Sequence, residues 1–379
     1  MMEHEEIKAS ILEAAKGKRK RRPIRRALSN LVYEAQNIHY QISYGKWHPP
    51  HHERQDHQER ANKKRRTIEK PQWDSEQIVH HMLMRQFRPI VERSAYRYAC
   101  GCIKGRGPLF VAQTLARWVR AYNGRKFYVA ELDVRKFYDS VDLDRLKAML
   151  SKTIRDKQYL AVLFKVIDGT GPGLPKGYYT SPWLANFYIR GLDYFIVQNL
   201  RPDHYIRFVD NLYILHTNKR ELRHMVEGIQ DYLQRELGLG LNGSRQIYRF
   251  EYTPRDFQRL RSTRRWQGVR RKTRRRQDRG RAINSIGYVV HQDRLTMRKS
   301  ILKRARAKAN RMHRLHRCRR RDAAAMLSYK GWFDRTDTYD YFQRWIKPKV
   351  SIRYCRRRIS TLAKRERERE NNDKLAPCT

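Results

Sequence analysis

The chain has 379 residues, room for two or three packed lobes with cores of their own. Lys and Arg number 85 against 38 Asp and Glu, and the net charge of +47 exceeds what solubility needs; it points to a polyanionic partner, nucleic acid before an anionic membrane surface. No apolar run approaches the roughly 20 residues of a transmembrane helix, no signal peptide opens the chain, and five cysteines without a C-x-x-C pair leave out a disulfide framework and a zinc site, which suits a reducing compartment.

Residues 1–66 read as a basic, helical N-terminal extension. Ile7 and Ile11 give a short amphipathic signal, and GKRKRRPIRR (17–26) supplies a charge block that reads as an RNA contact, a nuclear localisation signal or a solvated arm. WHPPHHERQDH (47–57) reads as a loop from its Pro pair and polar filling, and its four histidines lack the cysteine or carboxylate spacing that completes a metal site. An Asp74-Ser75 cap then opens a helix marked by Ile78, Val79, Met82, Leu83, Ile90 and Val91, with His80 and His81 on it. Gly105-Arg106-Gly107-Pro108 breaks the chain before a second helix with Phe110, Val111, Leu115, Trp118 and Val119. FYVAELDV (127–134) is a strand, Asp142 starts a helix through Ile154, and Leu160, Leu163, Phe164 and Ile167 mark another.

The turn TGPGLPKG (170–177) precedes Ser181-Pro182, a cap and first-turn proline for a helix carrying Leu184, Phe187, Tyr188, Leu192 and Phe195. YIRFVDNLYIL (205–215) reads as a buried β-hairpin, followed by a helix with Leu222, Met225, Val226, Ile229 and Leu233. Strands and helices mix without βαβ alternation, so the expectation is an α+β domain with helices on one face of an antiparallel sheet. The arginine-rich stretch 255–281 cannot bury a core and interrupts this order as an insertion. From residue 293 the chain is again helical and basic; Trp332, Phe333, Tyr341, Phe342 and Trp345 read as core, and the charged 364–373 tail is expected to fray.

Two acids stand out. Asp133 ends the 127–134 strand and Asp210 sits at the hairpin tip, where an apolar setting makes a carboxylate costly unless a donor or cation compensates it. Carboxylates so placed can hold two divalent ions about 3.5–4 Å apart for phosphoryl transfer. Alone, either aspartate reads more simply as a turn or cap residue; their ordered setting decides otherwise.

LDVRKFYDSVD resembles the first catalytic block of reverse transcriptases, GLPKGYYTSPWLANFYIRGLDYF (173–195) the second and YIRFVDNLYIL the third. LGLGLNGSR (237–245) resembles the fourth block and SIGY (285–288) the primer-grip turn, while RTIEKP with residues 74–107 is similar to the fingers of bacterial reverse transcriptases, those of diversity-generating retroelements and of the unknown-group, defence-associated kind. The resemblance implies a right-hand polymerase: fingers over 67–126, palm over 127–292 with a fingers portion at 143–176 and the insertion at 255–281, and a helical thumb with tail over 293–379.

Carried over by position, it implies Asp133, Asp210 and Asn211 as the catalytic set, with Asp133, Asp210 and the Val134 carbonyl holding two magnesium ions, manganese being the alternative. Lys64 and Arg66, from the run Lys63–Arg66, would clamp a triphosphate. Phe137, Tyr138, Lys176 and Gly177 would complete the nucleotide site, with Tyr138 as steric gate favouring deoxynucleotides. Arg106, Arg245, Ile286, Gly287 and Tyr288 would meet primer and template. Asn211 stands where the family usually has a second aspartate, Lys176 where glutamine or an aliphatic residue is common, and Arg245 where a lysine often protonates pyrophosphate, a role unsuited to arginine. Ser181-Pro182 departs from the Ser-Gln of diversity-generating enzymes.

The reading favoured is an RNA-directed DNA polymerase of the bacterial cytoplasm, without a nuclease or integrase domain, acting with a dedicated non-coding RNA in antiphage defence. Its expected partners are an RNA template, a DNA product and deoxynucleoside triphosphates, with a homo-oligomer or a second polymerase chain left open, as is the primer. The alternatives are a retroelement enzyme, of diversity-generating or group II intron type, and an inactive RNA-binding scaffold on a polymerase fold.

Overall fold

A computed structural model of the chain describes residues 3–50, 54–58, 65–169, 171–251 and 280–375. It divides into two compact units, Met1–Gly107 with Phe127–Tyr248, and Pro108–Lys126 with Arg249–Thr379.

The first unit opens with α1 (His4–Ala15), α2 (Arg22–Ser29) and α3 (Leu31–Ser43). Each buries one stripe: Ile7, Ile11 and Ala14 on α1, Ile24 and Ala27 on α2, Ala35 and Ile38 on α3. The basic block is therefore anchored through Ile24, while the arginines around it stay exposed. Strands β1 (Arg54–Gln58) and β2 (Arg65–Glu69) pair antiparallel, with Arg54 opposite Glu69 and His57 opposite Arg66. The 47–57 stretch expected as a loop thus becomes a strand from Arg54 onward, because β2 offers it a backbone ladder that no side-chain alternation announces.

A π-helical turn, Trp73–Gln77, leads into α4 (Ile78–Ser94). The expected Asp74-Ser75 cap is displaced to Gln72, whose backbone N–H donates to the Glu76 carboxylate at 3.3 Å. Trp73 explains the shift: its ring is buried and its indole N–H donates to the Ala14 carbonyl at 3.3 Å, drawing the first turn into the core.

After β3 (Ala99–Cys100) the chain passes through α5 (Pro108–Ala121), which belongs to the second unit, and returns as β4 (Tyr128–Asp133). A short 3-10 turn, Phe137–Ser140, precedes α6 (Leu143–Thr153), and α7 (Lys157–Asp168) follows. Helix α8 (Ser181–Phe195) starts from Thr180 rather than from a serine cap, since the Ser181 hydroxyl donates instead to the Pro175 carbonyl at 2.6 Å. Next come the hairpin β5 (His204–Phe208) and β6 (Asn211–His216), α9 (Lys219–Leu237) and β7 (Gln246–Arg249).

The sheet runs β3-β5-β6-β4-β7; β3 and β5 are parallel, whereas β5–β6 and β4–β6 are antiparallel. Leu132, Leu212 and Ile214 from the strands meet Leu184, Phe187, Tyr188 and Leu192 of α8 and Leu222, Ile229 and Leu233 of α9 in one buried core. Each such side chain contributes about 1.5–3 kcal/mol relative to its exposed state.

In the second unit α5 packs on a three-stranded antiparallel sheet, β8 (Ile283–Ser285), β9 (Tyr288–Val290) and β10 (Leu295–Met297). Four helices follow: α10 (Lys299–Arg314), α11 (Arg320–Phe333), α12 (Tyr339–Trp345) and α13 (Ile352–Leu375). Ala305, Ala309, Met326, Phe333, Phe342 and Ile346 form their core, with Trp332 and Tyr341 packed against it as expected; Trp345, expected there too, is instead half-buried with the Arg306 guanidinium 3.5 Å from its ring centre. Helix α13 spans the 364–373 stretch, where Lys364 and Glu368 stand at i,i+4 with 3.9 Å between their charged groups. The arginine-rich insertion lies, apart from Gly280 and Arg281, outside the described residues.

The Asp142 carboxylate caps α6 by accepting from the N–H groups of Asp144 and Arg145 at 3.1 and 3.0 Å. Asp142→Ala should therefore cost about 1 kcal/mol, read as a lower denaturant midpoint with unchanged slope.

Candidate active site

The register of β4 against β6 sets Asp133 opposite Asn211, and the Val134 N–H donates to the Asp210 carbonyl at 3.1 Å. Asp133 and Asp210 are thereby brought to the same end of one antiparallel pair. The Asn242 amide donates to Asp133 Oδ2 at 3.2 Å, and its backbone N–H to the Asp133 carbonyl at 2.7 Å. The Asn211 amide donates to Asp210 Oδ1 at 2.8 Å. Each aspartate is thus oriented by a neutral amide, which fixes a carboxylate without cancelling its charge.

The hairpin turn that carries Asp210 is strained. Val209 adopts a φ of +57° and is the one of the two central turn residues in the left-handed region, the pattern of a type II′ turn that favours glycine there. For a β-branched residue this costs on the order of 1–3 kcal/mol.

These donors suit magnesium. Two carboxylates and a nearby main-chain carbonyl are hard oxygen ligands, and magnesium takes few protein ligands, filling the rest with water and substrate phosphates. Among the described residues no group of three or more His, Cys, Asp or Glu side chains gathers as a metal cage.

Beside the hairpin tip lies a cavity of about 830 Å³, a size that holds a small-molecule ligand. Tyr138, Gly177, Tyr178, Tyr179, Trp183, Phe208 and Val209 line it, together with Lys18, His81, Arg88 and Lys104. Of the aromatic pair expected at the nucleotide, Tyr138 reaches this cavity; Phe137 is buried in the core instead, because the 3-10 turn points consecutive side chains apart.

Gly177 lines the cavity at φ +118°, and a Cβ there would stand 2.4 Å from the Glu69 carbonyl oxygen of β2, so the backbone itself calls for glycine. The Lys176 ammonium is engaged by Asp139, at 2.8 and 2.6 Å from its two oxygens, which ties both side chains down.

Arg106 donates to the Tyr96 carbonyl at 3.0 Å and so staples the loop around β3. Arg245 is exposed and bonded to Gln230. Lys63 and Lys64 lie outside the described residues, and Arg66 sits on β2 opposite His57. Ile286 and Gly287 form the turn of the β8–β9 hairpin in the second unit, both with positive φ, and Tyr288 stacks on Trp332 at 4.4 Å between ring centres.

Three participants escape sequence reasoning. Lys18 is one of seven cations in the 17–26 block, and nothing in that block marks the one that reaches the cavity, where its amine donates to Gln77 at 3.2 Å. His81 stacks on Tyr179 with ring centres 4.0 Å apart, and burial depresses its pKa to about 4 despite the opposing pull of Glu13. Asn242 is an unremarked polar residue in a glycine-rich turn. Cys100 and Cys102 are pushed up by burial, to about 12 and about 11, so both remain neutral thiols, in keeping with a structural role.

Residues 61–245, just under half of the chain, match the family described as reverse transcriptase (RNA-dependent DNA polymerase). This segment, which contains Asp133 and Asp210, is a reverse transcriptase domain with the corresponding polymerase fold. A separate comparison finds 32% identity over 83 residues with an uncharacterized 91 kDa protein in the cob intron of Schizosaccharomyces pombe, covering 19% of this chain and 10% of that protein. Telomerase from Candida albicans in complex with a fragment of telomeric RNA is similar with a TM-score of 0.46 and 11% identity, over 84% of this chain and 61% of that one. Apo telomerase from Candida tropicalis truncated from its C-terminal domain gives a TM-score of 0.43 and 10% identity, over 70% and 60%. The chain thus spans a tenth of the curated relative and about three fifths of these solved chains.

His81 supplies a pH dependence of known sign. Its folded pKa lies below the ordinary 6.5, so as pH falls from 6.5 toward 4 the unfolded chain takes up a proton that the folded chain resists. Stability should fall over that window by about 1–3 kcal/mol more in the native chain than in His81→Gln, measured by denaturant unfolding at stepped pH.

Proposed function

We propose that this protein is an RNA-directed DNA polymerase that extends a 3′-hydroxyl with deoxynucleoside triphosphates on an RNA template. The observation that carries the reading is the pair Asp133 and Asp210 at one end of the β4–β6 ladder, inside the reverse transcriptase domain, with Asp210 next in sequence to Val209, which lines the same cavity as Tyr138.

Asp133, Asp210 and the Val134 carbonyl would hold magnesium, with manganese as the alternative ion. Bound there, the metal would supply the charge that lowers the pKa of the attacking hydroxyl and stabilises the leaving pyrophosphate oxygen. The chain's own residues orient the reactants. Asn242 and Asn211 aim the carboxylates, the aromatic cavity walls exclude water from the base and sugar, and Lys18 and Lys104 bring positive charge to the same cavity for phosphates. Tyr138 is the steric gate, its ring abutting the 2′ position of the incoming sugar. Lys64 and Arg66 contact the triphosphate, while Arg106, Arg245 and the Ile286–Tyr288 turn serve primer and template.

The resemblance of residues 66–107 to bacterial, defence-associated enzymes supports a dedicated non-coding RNA as partner and a role against phage. A retroelement role of intron type is the second reading, favoured by the likeness of 83 residues to a protein in the cob intron of Schizosaccharomyces pombe. Both use the same chemistry and differ in the RNA they copy.

The deciding experiment supplies labelled deoxynucleotides and magnesium or manganese to protein purified with the nucleic acid it retains, and sequences the product. Incorporation should fall by more than about 100-fold in Asp210→Ala, the several kcal/mol that metal stabilisation is worth. The product sequence names the template and separates the two roles. Bound RNA without incorporation in either metal would establish the inactive scaffold instead. In the same assay Tyr138→Ala should raise ribonucleotide use relative to deoxynucleotide by about 10- to 200-fold, the range of a sterically enforced selection.

A further inference from the structure

Beneath the strained turn lies a buried polar cluster that the chemistry above does not use. The Arg207 side chain is 1% exposed and Asp193, on α8, is 0%. Nε and Nη2 of Arg207 donate to the two Asp193 oxygens at 2.7 and 2.6 Å, a bidentate pair. Nη1 donates to Asn186 Oδ1 and to the Val209 carbonyl, both at 2.9 Å. The Tyr205 hydroxyl donates to Asp193 at 2.7 Å, and the Asn186 amide donates to the Pro182 carbonyl at 3.1 Å, so the cluster is anchored along α8.

Val209 is gripped from the other side as well. Its N–H donates to the Cys100 carbonyl at 3.0 Å, and a Cβ on Gly101 would stand 2.7 Å from its Cγ2. Replacing a buried ion pair by apolar residues is often neutral or stabilising, so stability alone gives little reason to place one here. Its geometry gives a better one: a single rigid guanidinium ties helix α8 to the carbonyl of the one turn residue held at positive φ, next to Asp210.

We infer that Arg207 and Asp193 are positioning residues, which hold the Val209–Asp210 turn in its strained form and so aim the Asp210 carboxylate. This rests on Asp210 being a metal ligand, as proposed above. Lysine in place of Arg207 keeps a cation beside Asp193, yet one ammonium cannot also reach Asn186 and the Val209 carbonyl.

The test uses the full chain with its retained nucleic acid, in Arg207→Lys, Asp193→Asn and Arg207→Lys with Val209→Gly. Free manganese is followed by electron paramagnetic resonance without nucleotide, beside thermal melting, RNA binding and incorporation. Arg207→Lys and Asp193→Asn should weaken manganese binding by about tenfold or more, the usual effect of losing a partner that orients a ligand, while RNA affinity stays within about twofold because phosphate contacts dominate it. Glycine adopts the turn's φ freely, so adding Val209→Gly should recover part of the manganese affinity that Arg207→Lys loses.

Folded variants that bind manganese like the native chain would overturn the inference, as would affinity lost only in proportion to folded protein. Manganese binding that survives Asp210→Ala would overturn it too, by removing its premise. A native chain that binds manganese through Asp210 yet incorporates nothing would refute the polymerase reading alone, and the shift in Arg207→Lys would still decide this one. If Arg207→Lys does not fold, Asp193→Asn, which keeps one acceptor oxygen, decides by the same manganese reading.

Discussion

The pairing of β4 with β6 is the constraint on which the site depends. Strand side chains alternate, so a slip of one residue would turn Ala130 and Leu132 outward and drive Glu131 and Asp133 into the core. The register that buries the two apolar residues, with Leu132 opposite Leu212, also sets Asp133 opposite Asn211 at the open end of the ladder. Burial of a few aliphatic side chains therefore fixes the position of the acids, and no separate device is needed to bring them together.

Charge works on two scales around that ladder. The chain carries +47, but screening limits each exposed charge to about 8 Å at physiological ionic strength, so the excess attracts a polyanion without neutralising particular acids. Locally, Asp133 and Asp210 are steered by amides, whereas Asp193 is bound by a guanidinium and Asp139 by an ammonium. The latter two are satisfied as ion pairs and serve structure. The former two are held by neutral amide donors at the end of the sheet, the setting that the proposed cation site uses.

Much of this was legible in the sequence where local pattern and tertiary demand agree. The aromatic and β-branched runs 127–134 and 205–215 are strands whose Ala130, Leu132, Leu212 and Ile214 enter one core with the helices, and Asp133 and Asp210 within them come to the same end of the ladder. Where tertiary contacts overrule local preference the sequence misleads. Trp73 pulls a helix start ahead of its apparent cap, and β1 forms from a polar stretch that only its partner strand organises. Phe137 and Tyr138 are adjacent and chemically alike, yet one enters the core and the other the cavity, a difference set by a single turn. Lys18 could not be singled out at all, since proximity and not residue type distinguishes it from its six neighbours in the block.

Asn211 is the departure that most invites a reading as decay, and its geometry argues against that. An aspartate there would be a third carboxylate, next in sequence to Asp210 and across the ladder from Asp133, and like charges so placed disfavour one another until a cation arrives. Asparagine removes that repulsion and adds something an ionised acid lacks, a donor, which it uses at 2.8 Å on Asp210. A site built this way is held in shape by its own amides before any metal binds. Loss of the acid lowers the total negative charge and hence the pull on a divalent ion. In the proposed site, preorganisation of the two carboxylates that remain would offset part of that loss, because they need not be ordered at the moment of binding.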